Sequence, residues 1–507
     1  MSFPRESGIL LHPTSLPSRL GIGSLGKEAY QFIDFLTTTR QHLWQILPLG
    51  PTGYGNSPYQ CLSVFAGNPL LISLERLVQD GFLESAALEN APSFPEDKVD
   101  YDLVIKFKAP LLKKSFETFE GRAAWHEQRR FKVFCRKNAC WLDTYSLFMA
   151  LKEAHDLTAW NTWEEDIKRR HPKSLEHWRK RLDQEIRYHK YQQYQFFQQW
   201  SRLKKYCNEH EIRFIGDMPI FVALDSAEVW SHPEMFYLDD SGKPTVVAGV
   251  PSDYFSKTGQ LWGNPLYRWD VMARDGYAWW IERFRATCNL VDIIRLDHFR
   301  GFEKYWEVSA TDTTALNGRW VPTPGAKLFQ AVQNALGSLP IIAEDLGTIT
   351  TEVHALREQF GFPGMRVLQF SFGSGPKADE YRPYNYPRNC AVYTGTHDNN
   401  TTIGWFKGDD VKDSTQSQEE REREKQIALT YLGTDGHEIN WDFIRLAFMS
   451  AANTVIIPMQ DILGLGSVGR MNIPGRPEGN WRWRFTPDML TEEIKTRLKK
   501  LTALSGR

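Results

Sequence analysis

An α/β chain built as a single eight-stranded (β/α)₈ barrel, with large insertions between strands two and three and between strands three and four, is what this 507-residue sequence predicts. Three observations lead there. Short apolar runs rich in Val, Ile and Leu, bounded by Gly or Pro, have the continuous hydrophobicity of strands buried on both faces of a parallel sheet. Helix-period stretches separate most of them. Two connections, 51–211 and 220–289, are far too long for a crossover helix, and removing them leaves a length close to the ~250 residues of an ordinary barrel.

In chain order the predicted strands are Gly8–His12, Leu43–Gly50, Ile212–Pro219, Leu290–Asp297, Leu339–Gly347, Met365–Phe370, Asn389–Asp398 and Asn453–Asp461. Amphipathic helices are predicted over Lys27–Thr39, Glu185–Glu209, Tyr277–Cys288, Ala326–Leu336 and Thr351–Phe360. Segment 371–388, full of Gly, Pro and Tyr, carries no helix signal. The 51–211 insertion reads as a largely helical subdomain whose charges are mixed in sign. The 220–289 insertion falls over the rim after strand three and reads as a lid loop, and Ser417–Lys425 reads as an exposed helix start. On this reading residues 1–507 form one catalytic barrel unit.

Composition narrows the function. With 61 basic and 62 acidic residues, a net charge of −1, no basic field exists to hold nucleic acid or a membrane surface, so neither is expected as a partner. Six scattered cysteines without a C-x-x-C pair suggest reduced thiols, neither a disulfide framework nor a zinc ribbon. The N-terminal apolar stretch is too short for a signal-peptide core, and no run nears ~18 apolar residues, so a cytoplasmic location is expected. Two G-x-G-x-x-G matches, at Gly21–Gly26 and Gly464–Gly469, lack the strand-turn-helix context of a dinucleotide site. No cofactor is expected. Aromatic side chains are abundant, with 18 Trp, 19 Tyr and 30 Phe, and aromatics either fill cores or stack on flat ligands.

In a parallel barrel the active site is built at the C-terminal ends of the strands. Here those ends are acidic: Asp217 on strand three, Asp297 on strand four, Glu344–Asp345 on strand five, Asp398 on strand seven and Asp461 on strand eight. So many converging carboxylates repel one another and raise pKa values. Strands four and five are neighbours, so Asp297 and Glu344 could approach the ~5–5.5 Å separation of a retaining glycosidase pair. The alternative is a magnesium-binding rim. Arg295, on the same strand face as Asp297, weighs against a metal because its guanidinium would compete with the cation.

The segments Arg295-Leu-Asp297-His298-Phe299, Glu344-Asp345-Leu-Gly347 and Thr396-His397-Asp398-Asn399 resemble the catalytic segments of the amylomaltase, or disproportionating enzyme, family of 4-α-glucanotransferases, relatives of the α-amylases. Further matches run in order along the chain, from Asn56-Ser57-Pro58-Tyr59-Gln60 through Gly216-Asp217-Met218-Pro219, Pro251-Ser-Asp253-Tyr254-Phe255 and Gly259-Gln260-Leu-Trp262 to Arg470-Met-Asn472. Asn400 departs from the pattern, where Asp is more usual. The resemblance implies a nucleophile at Asp297, a general acid/base at Glu344, and a third carboxylate at Asp398 that grips sugar hydroxyls. It also implies substrate binding by Ser57, Tyr59, Asp217, Asp253, Gln260, Trp262, Arg295, His397 and Asn472. Tyr254 and Phe255 would belong to a loop over the acceptor side. The expected reaction is transfer of α-1,4-glucan segments between glucans, or to glucose, through a covalent glycosyl-enzyme, with α-1,4-glucans and maltooligosaccharides as partners. An α-amylase-like hydrolase is the alternative, because the same carboxylates serve both outcomes.

Overall fold

The computed structural model describes residues 3–252, 256–373, 378–409 and 416–507. Eight parallel strands form its centre: β1 Glu6–Leu10, β2 Leu43–Gln45, β3 Arg213–Pro219, β4 Ile293–Asp297, β5 Ile341–Ala343, β6 Gly364–Val367, β7 Cys390–Tyr393 and β8 Thr454–Pro458. Their hydrogen-bonded order runs β6-β7-β8-β1-β2-β3-β4-β5. The remaining seam, between β5 and β6, is drawn together by two donors. The Ala343 amide reaches the Pro363 carbonyl at 2.8 Å, and the Met365 amide reaches the Asp345 carboxylate at 2.7 Å. Gly364 permits that approach, since a Cβ there would lie 2.4 Å from Asp345 Oδ2.

Each predicted strand is present, usually shorter than its apolar run. The fourth begins at Ile293 because the preceding helix, Ala278–Leu290, takes the residues up to Leu290. The eighth stops at Pro458, and Met459–Ile462 turns into a short helix, so Asp461 does not sit at a strand end. Helices Lys27–Thr38, Gly325–Leu336 and Thr351–Gln359 cover the outside as their periodicity predicts. After β6 the described residues form only short 3₁₀ turns, in keeping with the missing helix signal. The exposed start at Ser417 is a capping box: Ser417 and Glu420 satisfy each other's backbone amides at the head of helix Gln418–Leu432.

Between β2 and β3 the chain builds helices that include Tyr101–Arg122, Trp125–Lys137, Ala139–Ala154 and the 27-residue Asp183–Glu209. That last helix joins the insertion to the barrel. Its Trp200 packs on Phe214 of β3 with ring centroids 4.8 Å apart, and Phe214 packs in turn on Trp44 of β2 at 4.9 Å. These rings are fully buried, so much of the aromatic surplus is core.

A second sheet stands over the rim. Val246–Val250 and Gln260–Pro265, from the connection after β3, pair with Lys304–Ser309 and Arg319–Pro322 from the connection after β4. The predicted organisation had no insertion after β4. Its two strands are short, and the first finds its partner, Val246–Val250, far back in the connection after β3, a pairing that local periodicity does not encode.

Candidate functional site

A cleft of about 870 Å³ opens at the C-terminal ends of the barrel strands, near the upper end of the range for small-molecule sites. The pairing of β3 with β4 sets Asp217 beside Arg295 and Pro219 beside Asp297. Arg295 Nη1 bridges the two acids, 2.6 Å from Asp217 Oδ2 and 2.9 Å from Asp297 Oδ1. The guanidinium is 4% exposed and Asp217 fully buried, whereas Asp297 keeps 25% of its side chain open to the cleft. Burial works against the charge of Arg295, but Asp217 and Asp297 outweigh it and hold that charge above its ordinary strength. A cation is therefore already built into this part of the rim, in the form of the arginine. Burial pushes Asp217 up to about 7, against the pull of Arg295.

Glu344 stands just past the end of β5. Both its oxygens accept backbone donors, Oε2 from the His298 amide at 2.7 Å and Oε1 from the Leu346 amide at 2.9 Å. The His298 donor is aimed by an unusual backbone: His298 is left-handed, with φ of 51°. Burial drives the Glu344 carboxyl up to about 8, and neighbouring Asp297 adds to the rise. Arg295 and the two amides pull the other way.

Asp398 follows β7 and is 38% exposed. Asn472 donates to its Oδ1 at 2.6 Å, Arg470 donates to its main-chain carbonyl at 2.8 Å, and His397 Nε2 lies 3.4 Å from Oδ2. Burial lowers the pKa of His397, which favours a neutral ring able to donate and accept hydrogen bonds. Tyr59 stacks on His397, with centroids 5.1 Å apart and ring planes 18° from parallel, and its hydroxyl donates to Asp217 at 2.9 Å. Across the cleft Trp262 meets His298 edge-on at 4.8 Å and donates to Gln260 at 3.2 Å.

The fold thus gathers Ser57, Tyr59, Gln260, Trp262, Arg295, Asp297, Glu344, His397, Asp398 and Asn472 around one cleft. Asp217 lies behind its wall, bound to Tyr59 and Arg295. Asp253, Tyr254 and Phe255 lie outside the described residues. Two of the six acids read at the strand ends point away from the cleft. Asp345 points into the β5–β6 seam, where Arg357 and Arg366 face it. Asp461 is buried and accepts from Thr394 and Thr402, bracing the chain after β7.

The sequence reading also passes over residues that line the cleft: Trp481, Arg300, Trp320 and His298. Trp481 packs on Tyr59 at 5.7 Å and has a φ of 63°, rare for an aromatic residue. Nothing local in the sequence marks a left-handed Trp, because tertiary contacts impose it.

The profile of the 4-alpha-glucanotransferase family matches residues 11–491. A 4-alpha-glucanotransferase from Synechocystis sp. is 52% identical over 99% of this chain and 98% of its own length. One from Thermus thermophilus is 48% identical over the whole of both chains. The structure of amylomaltase from Streptococcus agalactiae in complex with acarbose superposes with a TM-score of 0.94 at 40% identity, covering 99% of each chain. No helix among the described residues is long and apolar enough to cross a membrane. With a family match along nearly the whole chain, and a cleft built from the strand-end carboxylates that such chemistry requires, the chain belongs to the 4-α-glucanotransferases, the amylomaltases of glycoside hydrolase family 77, which are retaining glycosidase-type transferases.

Proposed function

We propose that this site moves α-1,4-glucan segments by double displacement, with Asp297 as nucleophile, Glu344 as general acid/base and Asp398 holding the sugar. In the first step an Asp297 oxygen attacks the anomeric carbon while the glycosidic C–O bond breaks. Glu344 delivers its proton to the departing oxygen, and the leaving chain departs with a free 4-hydroxyl. In the second step the hydroxyl of an acceptor glucan attacks the same carbon, Glu344 takes its proton, and the Asp297 carboxylate is released. Inversion occurs twice, so configuration is retained.

The observation that carries this reading is the contrast between the two acids. Asp297 rests on the Arg295 cation, whereas burial pushes Glu344 up to about 8, so it starts protonated at neutral pH. A positioned acid of this kind contributes ~10²–10⁴-fold. Asp398, gripped by Asn472 and Arg470, would accept hydrogen bonds from sugar hydroxyls, with neutral His397 beside it. Tyr59 and Trp262 offer apolar faces on two sides of the cleft, suited to donor and acceptor sugars. Transfer is favoured over hydrolysis where an acceptor sugar, held on such a face, displaces water from the glycosyl-enzyme.

Incubation with maltotriose tests the reading. Glucose and a ladder of longer oligosaccharides are expected, with total reducing ends constant, because transfer conserves the number of glycosidic bonds. Reducing ends rising in step with glucose would make the enzyme a hydrolase.

A further inference from the structure

Glu344 depends on two backbone amides, and they come from different connections. The His298 amide belongs to the turn after β4, the Leu346 amide to the loop after β5. Arg300 touches both. It sits in the turn Phe299–Phe302 directly after His298, and its Nη1 donates to the Thr348 carbonyl, two residues past Leu346. Its guanidinium carbon lies 3.7 Å from the ring centroid of Trp320, a strand residue of the rim sheet. Trp320 is itself backed by Trp306, with centroids 5.0 Å apart, and the Trp306 indole is tied to the Ala315 carbonyl at 2.8 Å.

Other buried arginines behave differently. Arg484 spends its fork on the carbonyls of Leu16, Ser18 and Pro95, and Arg507 donates to five carbonyls. Those two are rivets of the scaffold, and neither lines the cleft. Arg300 is as buried, at 5% exposure, yet its Nε has no hydrogen-bond partner among the described residues, and both Arg300 and Trp320 face the cleft. A planar cation on an aromatic face with one aimed donor is poorly placed to staple a core and well placed to set the spacing between two loops.

We propose that Arg300, pressed against Trp320, is a positioning residue that sets the Glu344 carboxyl by tying together the two chain segments that supply its hydrogen bonds. The inference rests on Glu344 being the general acid/base. It makes the rim sheet part of the catalytic scaffold, since Trp320 reaches Glu344 through Arg300, Thr348 and Leu346.

A donor that needs no proton separates this role from a merely structural one. With maltotriose the leaving sugar oxygen must take a proton from Glu344. With α-maltosyl fluoride, attack by Asp297 expels fluoride as a free anion. Trp320→Leu and Arg300→Met should lose on the order of 10²-fold in kcat on maltotriose, the effect of about 1 Å of misplacement, with KM nearly unchanged. Fluoride release in a single turnover should stay close to that of the unmodified enzyme. Trp320→Phe, which keeps a ring under the guanidinium, should recover most of the lost rate. Equal loss on both donors, no loss on maltotriose, or failure of Trp320→Phe to rescue would overturn the proposal. Trp320 is half-buried at the cleft rim, so its variants decide the question even if Arg300→Met does not fold. Glu344→Gln is the control. If it shows no preference for the fluoride donor, the assignment of Glu344 fails; if it does and the Trp320 variants do not, only the positioning role fails.

Discussion

Glu344 and Asp345 are consecutive acids at the end of the same strand, and they do opposite work. Glu344 turns into the cleft, accepts from two backbone amides, and is pushed upward by burial against the pull of Arg295. Asp345 turns into the wall, faces Arg357 and Arg366, and accepts the Met365 amide where the barrel closes. A carboxyl raised by burial at the cleft wall is available for proton transfer, whereas a carboxyl locked between guanidinium groups inside the barrel seam is a strut. The number of acids on a rim is therefore a poor guide to chemistry; what distinguishes them is whether the carboxyl faces the cleft, as Glu344 and the Arg295-paired Asp297 do, or the wall, as Asp345 does.

The sharpest way to break this contrast is to neutralise one acid of each kind. Asp297→Asn should abolish turnover, by on the order of 10⁴-fold or more, as loss of a nucleophile does, while the unfolding midpoint barely moves. Asp345→Asn should do the reverse. It leaves Arg357 and Arg366 buried without their common partner, which costs about 3 kcal/mol of folding stability in a denaturant titration. Activity per folded molecule should survive. If Asp345→Asn instead loses turnover with stability intact, the acid reaches the chemistry and the division drawn here is wrong.

How much of this was legible in the sequence follows from the same geometry. Strand runs such as Ile293–Asp297 are apolar until their last residues, so Asp217, Asp297, Glu344 and Asp398 stand out as polar ends of buried segments. Which of Glu344 and Asp345 faces inward is not readable. β5 ends at Ala343, with a last backbone bond from the Glu344 amide to the Leu296 carbonyl, and beyond it the alternation of side-chain faces no longer applies. Asp461 misled because the apolar run continues through a helical turn after Pro458, and period alone does not separate a strand from a turn over so few residues. Arg300 and Trp320 carry no local signal at all. Their meeting depends on a sheet assembled from two connections, so it appears only in three dimensions.

The pH dependence sharpens the comparison. Activity that requires protonated Glu344 should fall as pH rises through about 8. The linked effect on stability has a definite sign. The folded state holds this proton more tightly than the unfolded chain, whose carboxyl titrates at its ordinary value of 4.5. Stability from this group is therefore fully present below about 4.5 and declines as pH climbs toward 8. Asp217, pushed up to about 7, could produce a similar limb. An Asp217→Asn variant discriminates between them by its pH–rate profile: an unmoved alkaline limb assigns the titration to Glu344, and a vanished one assigns it to Asp217.

The smallest effect belongs to the hydroxyl of Tyr59. Its ring and its oxygen serve different neighbours: the ring lies on His397 and Trp481, and the oxygen donates to Asp217. Asp217 Oδ2 keeps Arg295 as a donor when that hydroxyl is removed, so no buried charge is stranded. Tyr59→Phe should then cost about 1 kcal/mol, roughly fivefold in kcat/KM, the net worth of an ordinary hydrogen bond. Tyr59→Ala removes the platform as well, frees His397 to turn, and should cost substantially more. Measured on maltotriose, a Phe variant as impaired as the Ala variant would mean that the oxygen itself contacts sugar. Asp217 would then be oriented for the substrate through Tyr59, and its buried carboxylate would have to be moved from the scaffold to the chemistry.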